Sequence, residues 1–480
     1  MNNTTDLVVF GGFGDLSIRK LLPALYRANA ANQLAPAARI FLISKDELSA
    51  QMYLEIAQQA LQQHLDPSEY EPVLWEGLKR RLVFSCLDID VLDDRWRTLR
   101  EELEATGSQS RVYYFAIPPS IYGQASANLA DSNLISVDTR VVLEKPIGYD
   151  HESANLINAQ VAAYFQESQI YRIDHYLGKE TVQNLMALRF GNVLFEPLWD
   201  SKTIDHVEVS IVESVGLEGR TGFYDKAGAL RDMVQNHLLQ MLCLLTMEPP
   251  IKLDAENIRA EKLKVLKALR PIDQSNIETD TIRGQYASGV IGGKAVPGYQ
   301  EEVDEGSRGS TTETYVALKA HIDNWRWSGV PFYLRTGKRL SERFAEIVIH
   351  YKAVSHRVFD ESAGPLEPNR LVIRLQPDER MQLTLMSKQL NRHGIYMRPA
   401  TLNLNFAEAF KYSKSDAYQR LLMDAIEGNP ALFTHRDEVD QAWGWVDPII
   451  DAWRDEKILP ESYPSGSWGP ERAASWFHVR

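Results

Sequence analysis

The stretch VVFGGFGDLSIRKLLPALY, residues 8–26, decides how the first half of the chain is read. An apolar run from Leu7 to Phe10 meets glycines at 11, 12 and 14, and an amphipathic segment follows at once. A glycine-rich turn between a first strand and a helix lets a pyrophosphate approach backbone N–H groups and the positive end of the helix. Read as G-x-G-x-x-G, the loop supplies Gly12 and Gly14, then Ser17 where a third glycine belongs. That third position serves helix–strand packing, and serine is small. The loop therefore reads as a dinucleotide site, with a plain strand-to-helix turn as the competing reading.

Working outward, residues 6–175 alternate short β-branched runs with amphipathic stretches. The runs DLVVFGG (6–12), RIFLIS (39–44), RLVFSCL (81–87), RVYYFAIPPS (111–120), RVVLEKP (140–146) and QIYRID (169–174) predict strands. Residues 50–65 and 151–165 place apolar side chains three and four apart and predict helices. Apolar strands separated by helices make a parallel, doubly wound sheet of the Rossmann type, with ligands at the carboxyl ends of its strands. Beyond residue 200 the pattern changes. A long apolar helix is predicted over 225–247, followed by extended runs at 312–322, 345–351, 370–377, 381–387 and 400–406 and by helices at 416–428 and 440–453. Period-two alternation in these runs predicts a large, mostly antiparallel sheet in an α+β domain. The expected domains are 1–176, binding a dinucleotide, and 177–480, an α+β domain binding substrate.

The tip of the second strand bears on the choice of cofactor. An acidic residue there binds a ribose 2′-OH, whereas a basic one accommodates a 2′-phosphate. IFLISKDEL offers Lys45, which favours NADP, followed by Asp46 and Glu47, which keep NAD in play.

Three clusters carry further chemistry. YRIDHYLGKE places Asp174, His175, Tyr176 and Lys179 after an apolar strand, with Gly178 permitting a tight turn. Such polar groups suit a site better than packing; a capped helix start is the bland alternative. In DKAGALRDMVQNHLLQMLCLL, Leu230, Val234, Leu238, Met241 and Leu245 form a core stripe that Asp232, Gln235, Asn236 and His237 interrupt. His237 reads either as a core histidine or as a general base, and Asp174 is a carboxylate able to orient its ring. Arg335, Lys338, Arg339 and Arg343 surround a Thr-Gly turn, as solvated surface or as a phosphate pocket.

At 480 residues with 44% hydrophobic and 24% charged residues, the composition is that of a soluble globular protein of two domains. The net charge of −13 argues against nucleic acid or an anionic membrane as partner. No signal peptide or membrane span is read. Cys86 and Cys243, far apart in apolar contexts, read as reduced thiols of a cytoplasmic protein, and no metal is expected.

Taken together, FGGFGDLSIRKLLPALY, FAIPPS, VVLEKPIG, YRIDHYLGKETVQNLMALRF, IDHVEVSIVESVGLEGR, DKAGALRDMVQNHLLQMLC, KVLKALRPID and GVPFYLRTGKRL resemble the bacterial glucose-6-phosphate dehydrogenase family from Asp6 to about residue 470. RIDHYLGKE is the most specific of them. The resemblance recasts the first loop as G-x-x-G-D-L, in which Gly11, Gly12, Gly14, Asp15 and Leu16 contact the cofactor. It implies that His237 removes the C1 hydroxyl proton of glucose 6-phosphate while Asp174 steadies the ring, with hydride passing to NADP. It further implies phosphate contacts from His175, Tyr176 and Lys179, and sugar contacts from Glu213, Asp232 and Lys338. Lys145 would sit between substrate and cofactor, and Asp88 and Ile89 beside the adenine-side ribose. A homodimer or dimer of dimers, serving the pentose phosphate or Entner–Doudoroff route, is also implied. Three positions depart from the family pattern. Phe13 stands where a small or basic residue is usual, Lys45 where arginine is usual, and Arg343 where a lysine lies near the substrate. The readings that compete with this one are a catalytically silent dinucleotide-binding sensor and a sugar dehydrogenase of the glucose–fructose oxidoreductase type.

Overall fold

The computed structural model describes residues 5–105, 110–390, 393–410 and 416–477. In chain order the strands are β1 (Thr5–Phe10), β2 (Ile40–Ser44), β3 (Leu82–Cys86), β4 (Ser110–Phe115), β5 (Thr139–Leu143) and β6 (Ile170–Ile173). Then come β7 (Ile204–Val212), β8 (Thr281–Ala287), the short pair β9 (Gly289–Ile291) and β10 (Lys294–Val296), β11 (Tyr315–His321) and β12 (Pro331–Gly337). The chain closes with β13 (Phe344–Tyr351), β14 (Arg370–Gln376), β15 (Arg380–Lys388), β16 (Met397–Asn405), β17 (Phe433–Thr434) and β18 (Glu461–Pro464).

The chain divides into two compact units. The first comprises residues 1–180, 251–259 and 415–440, and the second comprises 181–250, 260–414 and 441–480. Sequence patterning put 251–259 and 415–440 with the second domain. The segment after 415 instead packs into the first core, through Leu421, Leu422, Met423 and Ala425 of the helix Ala417–Glu427. Local periodicity says that a helix has an apolar face, but not which core receives it.

The first unit holds a seven-stranded sheet ordered β17-β6-β5-β4-β1-β2-β3. Every pair is parallel except β17–β6. Side chains alternate between the two faces of a strand, and both faces here are covered. Leu7 and Val9 of β1 enter one core, with Ile40 and Leu42. Val8 and Phe10 enter the other, with Phe41 and Ile43. Two covered faces explain why these strands read as unbroken apolar runs.

The second unit holds a nine-stranded sheet ordered β16-β15-β14-β13-β7-β12-β11-β8-β18. It is antiparallel except at β7–β12 and β8–β18, which are parallel. The helix predicted over 225–247 forms as a broken element. Gly228 (φ +66°) interrupts Thr221–Ala229, Leu230–Leu238 is wound as a π-helix, and Leu239–Thr246 is α-helical. The break answers a tertiary contact, since a Cβ at Gly228 would collide with the Glu313 carboxylate. Glu313 in turn accepts the Leu230 N–H at 3.1 Å. All five residues of the predicted stripe are buried. No described helix is long and apolar enough to cross a membrane.

Candidate active site

Within the first unit, the glycine loop joins β1 to the helical turn Ser17–Leu21. Gly11 has φ +78°, and a Cβ there would collide with the Ala116 carbonyl oxygen. A Cβ on Gly12 would lie 2.8 Å from Leu42 Cβ. Gly11 therefore needs glycine for both conformation and close approach, and Gly12 for close approach alone. Gly14 donates to the Gly11 carbonyl at 2.9 Å and accepts from Ile18 N–H at 3.0 Å. Ser17 is fully buried, and its hydroxyl donates to that same Gly11 carbonyl at 2.8 Å. Serine thus ties the loop shut where a glycine was expected. Asp15 is exposed and Leu16 half-buried against the core.

At the neighbouring strand tips, Lys45 is exposed beyond Ser44. Phe13 does not point to it as a free loop side chain. Its ring stacks on Tyr53 at 4.6 Å, and Tyr53 stacks on Phe84 at 5.1 Å. The Asp88 carboxylate accepts Asp90 N–H at 3.1 Å. The carbonyl of buried Ile89 accepts from Asn128 at 2.7 Å, which holds this turn in place.

Lys145 is half-buried after β5 and follows Glu144, a buried carboxyl that patterning overlooked. Glu144 accepts a hydrogen bond from the Tyr114 hydroxyl, and the Tyr122 hydroxyl donates to its carbonyl at 3.1 Å. Burial pushes the Glu144 carboxyl up to about 7, against the lowering effects of Tyr114 and Lys145. The triplet Glu-Lys-Pro was visible in sequence. The two tyrosines that make its glutamate distinctive come from other elements.

Asp174, His175, Tyr176 and Lys179 come together in one turn after β6. Asp174 is buried and accepts Tyr176 N–H at 2.9 Å, and its carbonyl accepts Leu177 N–H at 3.0 Å. Lys179 N–H donates to the Tyr176 carbonyl at 3.1 Å, and its ammonium lies 3.8 Å from the centroid of the Tyr176 ring. The His175 ring is 4.9 Å from that of Tyr176 and stacks on Tyr418 at 6.3 Å. Gly178 is again required by space, since a Cβ would lie 2.8 Å from the Ala417 carbonyl oxygen. Tyr418 could not be anticipated from the motif because it lies on a helix distant in sequence.

Within the second unit, Val212 of β7 is in register with Gly337 of β12. These strands run parallel, so the next residues, Glu213 and Lys338, leave their carboxyl ends side by side. Glu213 N–H donates to the Gly337 carbonyl at 2.9 Å, and Lys338 Nζ donates to Glu213 Oε2 at 2.6 Å. Lys338 is buried, with its ammonium 5.2 Å from the Tyr224 ring centroid. Burial raises the Tyr224 phenol well above its ordinary value, and the charges of Asp232, Glu313 and Glu213 add to this. Asp232 is half-buried and His237 fully buried on the π-helical segment. The other basic residues of the Thr-Gly turn go elsewhere. Arg335 lies 4.1 Å from the Phe477 ring centroid and donates to Ser210 at 3.2 Å. Arg339 pairs with Glu302, and Arg343 is exposed just before β13.

A parallel sheet of this strand order, opened by a glycine loop that only glycines can form, defines a dinucleotide-binding domain of the Rossmann type. It is joined to a second unit rich in charged side chains at parallel strand ends. The chain belongs to the glucose-6-phosphate dehydrogenase family: the family's NAD-binding domain matches residues 8–184, and its C-terminal domain matches 186–480. A glucose-6-phosphate 1-dehydrogenase of Rhizobium meliloti is 50% identical over 98% of this chain and 95% of its own length. That of Mycolicibacterium smegmatis is 47% identical over 98% and 95%. A solved structure of glucose-6-phosphate dehydrogenase in complex with its substrate glucose-6-phosphate superposes with a TM-score of 0.90. It is 32% identical and covers 100% of this chain and 99% of that one.

Proposed function

We propose that this chain oxidises glucose 6-phosphate at C1 to 6-phosphogluconolactone, with NADP as hydride acceptor and NAD as a second, weaker one. The observation that carries the reading is the turn Asp174–Lys179, which presents a carboxylate, an imidazole, a phenol and an ammonium at the end of one buried strand. His175, Tyr176 and Lys179 take the substrate phosphate, the ammonium supplying charge and the hydroxyl a directed hydrogen bond. Lys338, Glu213 and Asp232 hold the sugar hydroxyls, with Arg343 as a further substrate contact of positive charge. His237 removes the C1 hydroxyl proton, and Asp174 orients its ring and stabilises the imidazolium that forms.

A bound nicotinamide dinucleotide supplies the ring that accepts hydride. The glycine loop suits its pyrophosphate, because Gly11 and Gly12 leave no room for a Cβ and Gly14 opens the helical turn. Asp15 and Leu16 complete this loop, Asp88 and Ile89 lie beside the adenine-side ribose, and Lys145 stands between the two ligands. Lys45 gives the 2′-phosphate a charge partner but not the two-pronged fork of an arginine. The working form is a cytoplasmic homodimer or dimer of dimers.

A silent sensor or a glucose–fructose oxidoreductase-type enzyme would leave the phosphate set at His175, Tyr176 and Lys179 without a purpose. The deciding experiment measures reduced-nicotinamide absorbance with purified protein and glucose 6-phosphate, comparing kcat/KM for NADP and NAD. Turnover with a preference for NADP is expected. No substrate-dependent signal with either cofactor would overturn the reading.

A further inference from the structure

Away from these residues, the second unit's sheet carries a group of side chains that the reaction does not use. His206 and Glu208 lie two apart on β7 and so share a face, while His350 on β13 is the register partner of His206. One ring nitrogen from each histidine and one oxygen of Glu208 lie within 4.8 Å of one another. His350 Nε2 is 2.8 Å from Glu208 Oε1, and His206 Nε2 is 3.9 Å from the same oxygen. A tetrahedral ion with bonds of about 2.05 Å spaces its ligand atoms by about 3.3 Å. The two observed separations bracket that value.

A second feature prepares the site. The β7–β13 register slips at this point: His350 faces His206, but Tyr351 faces Ile204, which leaves Asp205 as the extra residue of a bulge. Bulges re-aim side chains, and here the Asp205 carboxylate turns to His206 Nδ1 at 2.7 Å. That bond places the ring proton on Nδ1 and leaves the Nε2 lone pair on the side of Glu208. A carboxylate behind a histidine is the usual outer support of a metal-bound imidazole.

We propose that His206, Glu208 and His350 bind one divalent cation of the zinc class, with Asp205 as positioning residue. Two imidazoles and one carboxylate suit such borderline ions and leave one position for solvent. The two rings stack at 4.1 Å, 12° from parallel. The His206 side chain retains 26% exposure, which leaves its ring room to tilt out of the stack about its hydrogen bond to Asp205. The ion would staple β7 to β13, and β7 is the strand that delivers Glu213.

The test uses the full chain, free of affinity tags and stripped with chelator, titrated with CoCl2 and followed by visible absorption. One Co2+ per chain is expected, displaced by Zn2+. His206→Gln and His350→Gln should each weaken binding by more than about 100-fold, and Asp205→Asn by about 10–100-fold. Circular dichroism checks that each variant is folded. His206 is the most exposed of the three ligands, so its substitution alone suffices should His350→Gln fail to fold. Unchanged Co2+ binding in folded His206→Gln, or no binding by the wild type at millimolar Co2+, would overturn the assignment.

Discussion

Glu213 and Lys338 form an ion pair at 2.6 Å although 125 positions separate them in the chain. Their meeting follows from a parallel pairing inside a mostly antiparallel sheet, which brings both residues off the same end of adjacent strands. Removing the ammonium should cost the substrate a charge-assisted contact. Lys338→Ala is expected to lower kcat/KM for glucose 6-phosphate about 10–100-fold, mainly through KM. Steady-state kinetics at saturating cofactor checks this, and an unchanged KM would remove Lys338 from the substrate site.

His237 is buried on the π-helical segment and is the proposed proton acceptor. His237→Asn should reduce kcat by about 10²–10⁴-fold, the usual contribution of a general base. Calorimetry should find glucose 6-phosphate binding nearly unaltered. Near-normal turnover would show that the proton goes elsewhere.

Lys45 is exposed at the tip of β2, where a 2′-phosphate would be read. Lys45→Ala should shift the NADP-to-NAD ratio of kcat/KM toward NAD by about tenfold or more, and Lys45→Arg should shift it the other way. Phe13→Lys is expected to behave differently. It breaks the stack with Tyr53 and should lower thermal stability by about 1 kcal/mol or more, so any gain in NADP preference would come with a lower Tm.

Glu144 links stability to pH. Burial raises its carboxyl to about 7 in the folded protein, while an unfolded chain ionises near the ordinary value of about 4.3. Between these values the folded state holds a proton that the unfolded state has lost. Stability therefore falls as pH rises across this window and levels off above it, with a total on the order of 3 kcal/mol. Glu144→Gln keeps an acceptor for Tyr114 and should flatten this part of the profile. Urea midpoints of both proteins from pH 4 to 8 test the sign; parallel profiles would count against a raised carboxyl.

Gly11 combines a positive φ with the Ala116 carbonyl oxygen standing where a Cβ would have to fit. Gly11→Ala should destabilise the first unit by about 1–3 kcal/mol and weaken binding of the dinucleotide. Thermal melts and fluorescence titration with NADP would measure the two effects separately.

Much of this architecture was legible along the chain. Six of the seven strands of the first sheet fall on the predicted runs, because burial on both faces makes them continuous apolar stretches. The turn after β6 was legible for the opposite reason, since four polar groups within six residues at a buried strand end are costly to pack. Other features gave no local signal. The break at Gly228 depends on Glu313, and the aromatic stack that claims Phe13 depends on Tyr53 and Phe84. The basic run from Arg335 to Arg343 looked like one cluster. Tertiary contacts divide it among Phe477, Glu213, Glu302 and solvent.

By itself, the sequence determined the class of the first unit, the position of its glycine loop and the polar turn from Asp174 to Lys179. Each is a local matter of side-chain period, backbone freedom or the cost of burying charge. Only the tertiary structure decided that the helix Ala417–Glu427 joins the first core, that Glu213 meets Lys338, that Ser17 locks the loop through the Gly11 carbonyl, and that burial raises the Glu144 carboxyl. Most of these depend on which distant strand or helix lies alongside, and Ser17 depends on how the loop closes. Sequence spacing carries no direct record of either.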